Sequence, residues 1–525
     1  MSIHFVGIGG IGVSALARYF LARGNEVSGS DAAESEIVED LRKMGVKITS
    51  PQPSPSKGEG EIHLFEPEAL RAEWPNPLFI KKGTDLVIYS AAVQESNPEL
   101  IEARRLGIKT QKYAEALGEL TKKMYTIAIS GMHGKSTTTA MIGLMMEKAG
   151  LDPTVIVGTK VRWNAENYTP PNPPLKGGQR AKSPLTPLFQ SGEKNYSNCR
   201  VGKSKYLVIE ADEYDRSFLN YWPKILVLLN IEEEHLDTYT GGLADILKTF
   251  EEYVSHLSED GVLVANGEDE NIVTLINPKS EFLISKQIIN PKFQIQKYNS
   301  NAIAGLSLKI PGRHNISNAN AALAVARVLG IDEKIAVGAL NDFSGAWRRM
   351  EYKGLVNGAK IYDDYGHHPT EIKATLAGAR ELLNNSSKNT KITSPQPSPS
   401  KRGGKIPPNP PFPKWGGKLW CVFQPHQYQR TYNLFEQFVG AFGAADRVIL
   451  LPIYSVAGRE DEEIKKKVSS EKLVLRLQAQ GKPENIIYLD NFDEAAGYLR
   501  KNLQPGDVCI VMGAGDIYKL TKKLS

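Results

Sequence analysis

The sequence predicts an α/β protein of about three domains built on parallel sheets, and three observations carry that prediction. The chain has 525 residues, and single hydrophobic cores stop growing near ~250–300 residues. Short apolar runs alternate with amphipathic stretches along most of it, the pattern of strands followed by crossover helices. Two of these strand-to-helix turns are glycine-rich loops, the kind of backbone that receives phosphate at a helix N-terminus.

Taken in order, the buried strands are expected at "IHFVGI", "TDLVIYS", "TIAIS", "YLVIEA", "ILVLLNI", "GVLVAN", "LWCVFQ", "RVILLPI" and "DVCIVMG". Each is a short continuous apolar run, as in a sheet covered on both faces. Helices are expected at "VSALARYFLARG", "TTTAMIGLMMEKAG" and "NANAALAVARVLG". Domain boundaries are placed near 124, before "YTIAIS", and near 343, before "SGAWRRM". This gives domains of residues 1–124, 125–343 and 344–525. Ligands in such folds bind at the carboxyl ends of the strands, and the informative residues cluster there.

Apolar and charged contents of 41% and 23% are ordinary for a soluble globular protein. Cys199, Cys421 and Cys509 lie far apart and form no C-x-x-C pair. Neither a disulfide framework nor a zinc site is expected, in keeping with a cytoplasmic protein. "MSIHFVGIGGIG" runs straight into a glycine loop without a signal-peptide layout, and runs such as "ILVLLNI" are far shorter than a membrane span.

The net charge of +5 does not mark a nucleic-acid partner. Three Pro/Gly/Ser/Lys-rich segments, 51–61, 164–203 and 391–418, carry −1, +4 and +6, which leaves the remainder at −4. "TSPQPSPSK" occurs in two places and "PPNPP" in two. Such text buries too little apolar surface to order itself. PxxP recognition is one reading, but near-identical text at separate sites favours repeated insertion into surface loops, which closure entropy tolerates.

"IHFVGIGGIGVSALARYF" places Gly7, Gly9 and Gly12 as G-x-G-x-x-G between a strand and a helix, with Asp31 19 residues after Gly12. This is the dinucleotide fingerprint, which lets backbone approach a diphosphate. It does not distinguish NAD, FAD and a UDP-sugar. A second loop, "GMHGKSTT" from Gly131 through Met132, His133, Gly134, Lys135, Ser136 and Thr137, resembles G-x-x-x-x-G-K-[ST] but is two residues short: Ile129 stands where the first glycine belongs. Its N–H groups suit phosphates, Lys135 suits the β/γ-phosphates and the Ser136 hydroxyl suits Mg²⁺. Two strands end in acids: Glu210, Asp212, Glu213 and Asp215, then Glu232, Glu233, Glu234, His235 and Asp237. Carboxylates so placed hold the metal of a phosphate loop.

"GMHGKSTT", "EADEYDRSF", "NIEEEHLDTY", "GRHNISN", "WRRM", "DDYGHHPTE" and "FQPHQYQRT" together resemble the ATP-dependent Mur ligases, in the family's own order and over all the chain but the three insertions. The short loop is that family's version of the ATP site. The resemblance implies an N-terminal Rossmann-like domain for a UDP-sugar, a central P-loop ATPase-like parallel-sheet domain and a Rossmann-like C-terminal domain for the amino acid. It implies that Gly7, Gly9, Gly10, Gly12 and Ser90, beside Asp31, hold the uridine diphosphate. Ser136, Glu210 and His235 are its magnesium ligands, with Lys135 and Arg349 at the transferring phosphoryl. Asn315, Asn318 and Asp364 are its contacts to adenosine, and Tyr365, His367, His368, His426 and Arg430 surround the amino acid. Gln427 stands where that pattern has arginine.

The implied partners are ATP, Mg²⁺, UDP-N-acetylmuramate and L-alanine, with no nucleic acid and no membrane insertion, in a monomer or homodimer. The implied reaction is amide synthesis through an acyl phosphate, for peptidoglycan precursors. Two competing readings are a recycling ligase that attaches a whole murein tripeptide and, from another class, an NAD-dependent oxidoreductase. The latter explains the first loop and leaves the second without a purpose.

Overall fold

A computed structural model describes residues 1–49, 80, 83–163, 196–234, 238–277, 293–388, 417–455, 461–480 and 483–524. Segment 51–61, nearly all of 391–418 and most of 164–203 lie outside the described residues, as does His235.

The fold divides into two compact units, Met1–Leu306 with Asn318–Leu340, and Ser307–Ser317 with Asn341–Ser525. The first unit carries two sheets. Strands β1 (Ser2–Val6), β2 (Glu26–Ser30), β3 (Lys47–Thr49), β4 (Leu86–Tyr89) and β5 (Lys109–Lys112) form a parallel sheet in the order β3-β2-β1-β4-β5. Order reverses between β1 and β4, so a crevice opens at their carboxyl ends. Helix α1 (Ile11–Ala22) follows β1 directly and buries Val13, Ala15, Leu16 and Ala17.

The second sheet contains β6 (Tyr125–Ser130), β7 (Thr154–Arg162), β8 (Tyr196–Arg200), β9 (Tyr206–Glu210), β10 (Ile225–Leu228), β11 (Val262–Asn266) and β12 (Gln294–Tyr298). Their order is β12-β11-β10-β6-β9-β7-β8, antiparallel only between β7 and β8. The phosphate-loop strand β6 therefore lies between β9 and β10, whose ends carry the two acidic clusters.

Residues 196–203 were expected within a low-complexity segment, yet 196–200 form β8. Buried Asn198 in β8 donates to the Ile11 carbonyl at 2.6 Å and to Ser14 Oγ at 2.8 Å, both in α1. Arg200 is buried between Glu147 (3.1 Å) and Asp152 (2.7 Å). One apolar cluster runs from Phe5 and Leu16 through Ile209 and Leu228 to Tyr253 and Leu263. Shared burial and these polar ties are why two sheets belong to one compact unit.

The second unit is built on β13 (Glu351–Val356), β14 (Ala359–Asp364), β15 (Leu419–Phe423), β16 (Arg447–Leu450), β17 (Ile486–Tyr488) and β18 (Val508–Met512), in the order β13-β14-β18-β15-β16-β17. Only β13 is antiparallel to its neighbour. Alternate residues feed two cores: Cys421, Phe423, Ile510 and Met512 on one face, Trp420, Val422, Cys509 and Val511 on the other. This two-sided burial explains the unbroken apolar runs of β15 and β18. Among the described residues, no helix is long and apolar enough to cross a membrane.

Candidate active site

The first glycine loop leaves β1 at its carboxyl end. The Gly7 and Ile8 N–H groups donate to the Ser30 carbonyl at 2.8 and 3.0 Å. Gly7 has φ +76°, and a Cβ there would lie 3.1 Å from Ser90 Cβ, so Ser90 lies against the loop. Gly10 is the N-cap of α1 and has no side-chain cap, and Gly12 lies in its first turn. These first-turn amides have no partner within the helix and face the crevice end of the sheet. Asp31 Oδ2 accepts from Gly9 N–H at 2.7 Å and Oδ1 from Ala33 N–H at 3.0 Å. The acid of the fingerprint thus shapes the loop itself.

The short phosphate loop, residues 131–134, joins β6 to helix α2 (Lys135–Lys148). Asn230, just past β10, clamps it: His133 N–H donates to Asn230 Oδ1 at 2.8 Å, Asn230 Nδ2 donates to the His133 carbonyl at 2.9 Å, and Met132 N–H reaches the Asn230 carbonyl at 3.2 Å. The Met132 and His133 amides are thus engaged within the protein, and the first turn of α2, with Lys135, Ser136 and Thr137, presents the remaining donors. Gly134 has φ +86°, and a Cβ there would fall 2.5 Å from Asn318 Oδ1. This places Asn318 against the loop. Gly134→Ala combines left-handed strain with that clash, so we expect a loss of about 1–3 kcal/mol in stability and at least roughly tenfold in turnover, read by thermal unfolding and a phosphate-release assay.

Lys135 Nζ bonds Glu213 Oε1 and Oε2 at 2.9 and 2.7 Å and the Gly131 carbonyl at 2.8 Å. Burial disfavours its charge, but Glu213 and Asp212 outweigh that and hold its pKa above the ordinary lysine range. Glu210, at the end of β9, accepts from Gly158 N–H at 2.7 Å through Oε1. Ser136 is buried at the helix start, and Ser130 Oγ, Thr138 Oγ1 and Thr139 Oγ1 are buried without a hydrogen-bond partner among the described residues. Ser130 ends β6 and Ser136 lies in the first turn of α2, one on each side of the loop. Hydroxyl and carboxylate oxygens such as theirs and those of Glu210 are the ligand type that fits a hard divalent cation such as Mg²⁺.

In the second unit, the two arginines of "WRRM" have separate fates. Arg348 is buried and staples the strand ends, donating to Asp363 at 3.3 Å, to the Gly515 carbonyl at 3.0 Å and to the Gly513 carbonyl. Burial pushes Asp363 up to about 6, against the Arg348 charge. Arg349 is more exposed, lies over the Tyr365 ring at 5.1 Å and reaches Glu371 at 3.3 Å. Asp364 receives the N–H groups of Met350 and Gly366, both at 2.8 Å, and the Thr375 hydroxyl at 3.3 Å. Burial raises its pKa, opposed by Arg349 and those amides. Asn315 donates to the Pro311 carbonyl at 2.7 Å.

Four of the five residues expected around the amino acid gather at the ends of β14 and β15. Ring centroids of Tyr365 and His367 are 5.4 Å apart, those of His367 and His426 6.0 Å, and Arg430 Nη1 lies 3.5 Å from His426 Nδ1. His368 turns into the protein and is buried, and its Nδ1 accepts from Thr370 N–H at 3.4 Å. Gln427 adopts φ +68° as the N-cap of helix Tyr428–Asn433.

Four contributors escaped sequence reasoning. Asn230 lies inside "NIEEEHLDTY", and only its two-sided bond to the loop shows its use. Glu213 was one acid of four, singled out by its ion pair. Glu371 accepts from the His367 and His368 amides at 2.9 and 3.3 Å and pairs with His367 and Arg349. Tyr454 stacks on His426 at 5.4 Å and comes from a distant strand end that no local motif marks.

Three consecutive stretches match parts of one family: the Mur ligase family catalytic domain over residues 2–125, the Mur ligase middle domain over 129–326, and the Mur ligase glutamate ligase domain over 348–390 and 412–515. The UDP-N-acetylmuramate–L-alanine ligase of Acetivibrio thermocellus is 35% identical over 536 residues, spanning 99% of this chain and 94% of that one. Its namesake from Caldanaerobacter subterraneus subsp. tengcongensis is 35% identical, spanning 99% and 96%. Among solved structures, the UDP-N-acetylmuramate-alanine ligase of Thermotoga maritima aligns with TM-score 0.67 at 24% identity over 100% of this chain and 98% of that one. A murein peptide ligase from Psychrobacter arcticus aligns at 0.59 and 21%, with the same coverage. The two solved structures share the α/β fold of three sheets, and the full-length identity decides the rest: the chain belongs to the Mur ligase family.

Proposed function

We propose that the chain is an ATP-dependent ligase that joins L-alanine to the lactyl carboxylate of UDP-N-acetylmuramate, in the synthesis of peptidoglycan precursors. The observation that carries this reading is the short phosphate loop, clamped by Asn230 and carrying Lys135, set beside the carboxylates that end β9. Relatives that match 99% of this chain over 94% and 96% of their own length bear the name of that ligase.

A carboxylate is a poor electrophile because resonance and charge repel an amine. Transfer of the γ-phosphoryl of ATP to it neutralises the charge and creates a leaving group. The α-amine of alanine then attacks the acyl carbon and phosphate departs. In this reading three domains, 1–124, 125–343 and 344–525, each receive one substrate. Gly7, Gly9, Gly10 and Gly12 let the backbone approach the uridine diphosphate beside Ser90, and the first-turn amides of α1 receive it. Lys135 and the first-turn amides of α2 hold the ATP phosphates, with Asn315, Asn318 and Asp364 toward the adenosine. Arg349 stabilises charge on the phosphoryl group, since electrostatics and positioning supply most of such catalysis. Tyr365, His367, His426 and Arg430 orient the amino acid. Ser136, Glu210 and His235 are the residues that would hold Mg²⁺. When bound it offsets the negative charge of the phosphates. We place the protein in the cytoplasm, where ATP and the sugar nucleotide are made.

A ligase that attaches an intact murein tripeptide is the nearest alternative. Rates with L-alanine and with the tripeptide, each at saturating ATP and UDP-N-acetylmuramate, separate the two: turnover with alanine alone is expected, and turnover with the tripeptide alone would overturn the assignment.

A further inference from the structure

An ammonium has three donors, and in this structure three short bonds account for those of Lys135: both oxygens of Glu213 and the Gly131 carbonyl, with the Met132 carbonyl at 3.4 Å. A phosphate oxygen can bond Nζ only by displacing one of them. Glu213 is fully buried, and Asp212 is farther from Nζ, at 3.7 Å.

The backbone at Glu213 is pinned. Its carbonyl accepts the buried Tyr239 hydroxyl at 2.5 Å and Arg216 N–H at 3.0 Å. Asp215 and Arg216 both hold left-handed φ of +52°, a strain tolerated only where surroundings fix it. Arg216 is fastened to Asp245 at 2.9 and 3.1 Å and lies over the Tyr239 ring at 5.5 Å. The carboxylate therefore stays while the lysine, on four rotatable bonds, moves.

We propose that Glu213 is the resident counter-ion of the phosphate loop, a positioning residue that holds the Lys135 ammonium until a nucleotide phosphate takes its place and receives it back when product leaves. Glu213 then competes with phosphate for one cation, weakening nucleotide affinity and speeding release. This rests on the assignment of Lys135 to nucleotide phosphate.

The test is a double-mutant cycle on binding of ADP and of a non-hydrolysable ATP analogue to the full-length protein, by calorimetry. Glu213→Gln is expected to tighten binding roughly tenfold, because no ion pair has to open. In a Lys135→Met background the same change should give about twofold, the part owed to one fewer negative charge near the phosphates. A merely structural Glu213 would weaken binding in both backgrounds. No tightening, or an equal gain in both, overturns the proposal. Glu213→Asp, which draws the carboxylate back by one methylene, should tighten binding partway. It replaces the Gln variant if that one does not fold, and an unchanged affinity then overturns the proposal equally. Lys135→Met alone must weaken binding; if it does not, the phosphate-loop assignment fails first and the counter-ion falls with it.

Discussion

Lys135→Ala should remove turnover, by at least about a thousandfold, while the protein stays folded. The lysine is the one cation that the loop itself presents, and charge stabilisation of a transferring phosphoryl is worth several powers of ten. Its loss leaves Glu213 buried without its cation, so some destabilisation accompanies the loss of activity. Far-ultraviolet circular dichroism with a thermal scan checks folding, and phosphate release checks turnover. Near-normal activity in a folded variant would refute the loop assignment.

The second large effect is expected at Asn230. Its side chain makes a two-way hydrogen bond with the His133 peptide, 2.8 Å in one direction and 2.9 Å in the other. Asn230→Ala leaves a peptide donor and acceptor without partners and removes the brace between the β10 end and the loop. We expect about 1–3 kcal/mol of lost stability and roughly a hundredfold loss in kcat/KM for ATP, because the first-turn amides and Lys135 shift from their phosphate positions. Asn230→Asp keeps the acceptor for His133 N–H and should recover part of the stability but little activity, since it adds a negative charge beside the phosphates. Urea unfolding and steady-state kinetics on both variants check this. Equal activity of the alanine variant and the parent would show that the loop holds its shape without the clamp.

The nine apolar runs read as strands all fall on strands of the three sheets, because a strand buried on both faces needs no alternation and stands out as a run. Several of the strands that were missed lack a continuous apolar run, each for a physical reason. β5 is "KTQK", at a sheet edge, where one face meets water and polar side chains suffice. β3 and β17 are three-residue edge or near-edge strands, and β2, "EVSGS", buries its backbone under small residues. β8 was hidden because Tyr196–Arg200 follows a proline-rich stretch and buries asparagine and arginine, whose partners Ile11, Glu147 and Asp152 lie far away in sequence.

The site divides along the same line. Loops such as 131–137 are legible because glycine, lysine and hydroxyls must come in a fixed local order to wrap a phosphate. Residues that act by bracing others, Asn230, Glu213, Glu371 and Tyr454, depend on which strand ends become neighbours, and sheet order is a property of the whole chain. The resemblance singles out Arg349 alone, and only burial shows its neighbour Arg348 to be the staple of the strand ends.

The central claim is that ATP is consumed to activate an acid toward an amine. Phosphate release measured with ATP, UDP-N-acetylmuramate and L-alanine, each omitted in turn, tests it most directly. Release is expected only with all three present, alongside an equal amount of a product heavier than the sugar nucleotide by one alanyl residue. Release that persists without the sugar nucleotide or without the amino acid, or no release with all three, would contradict it.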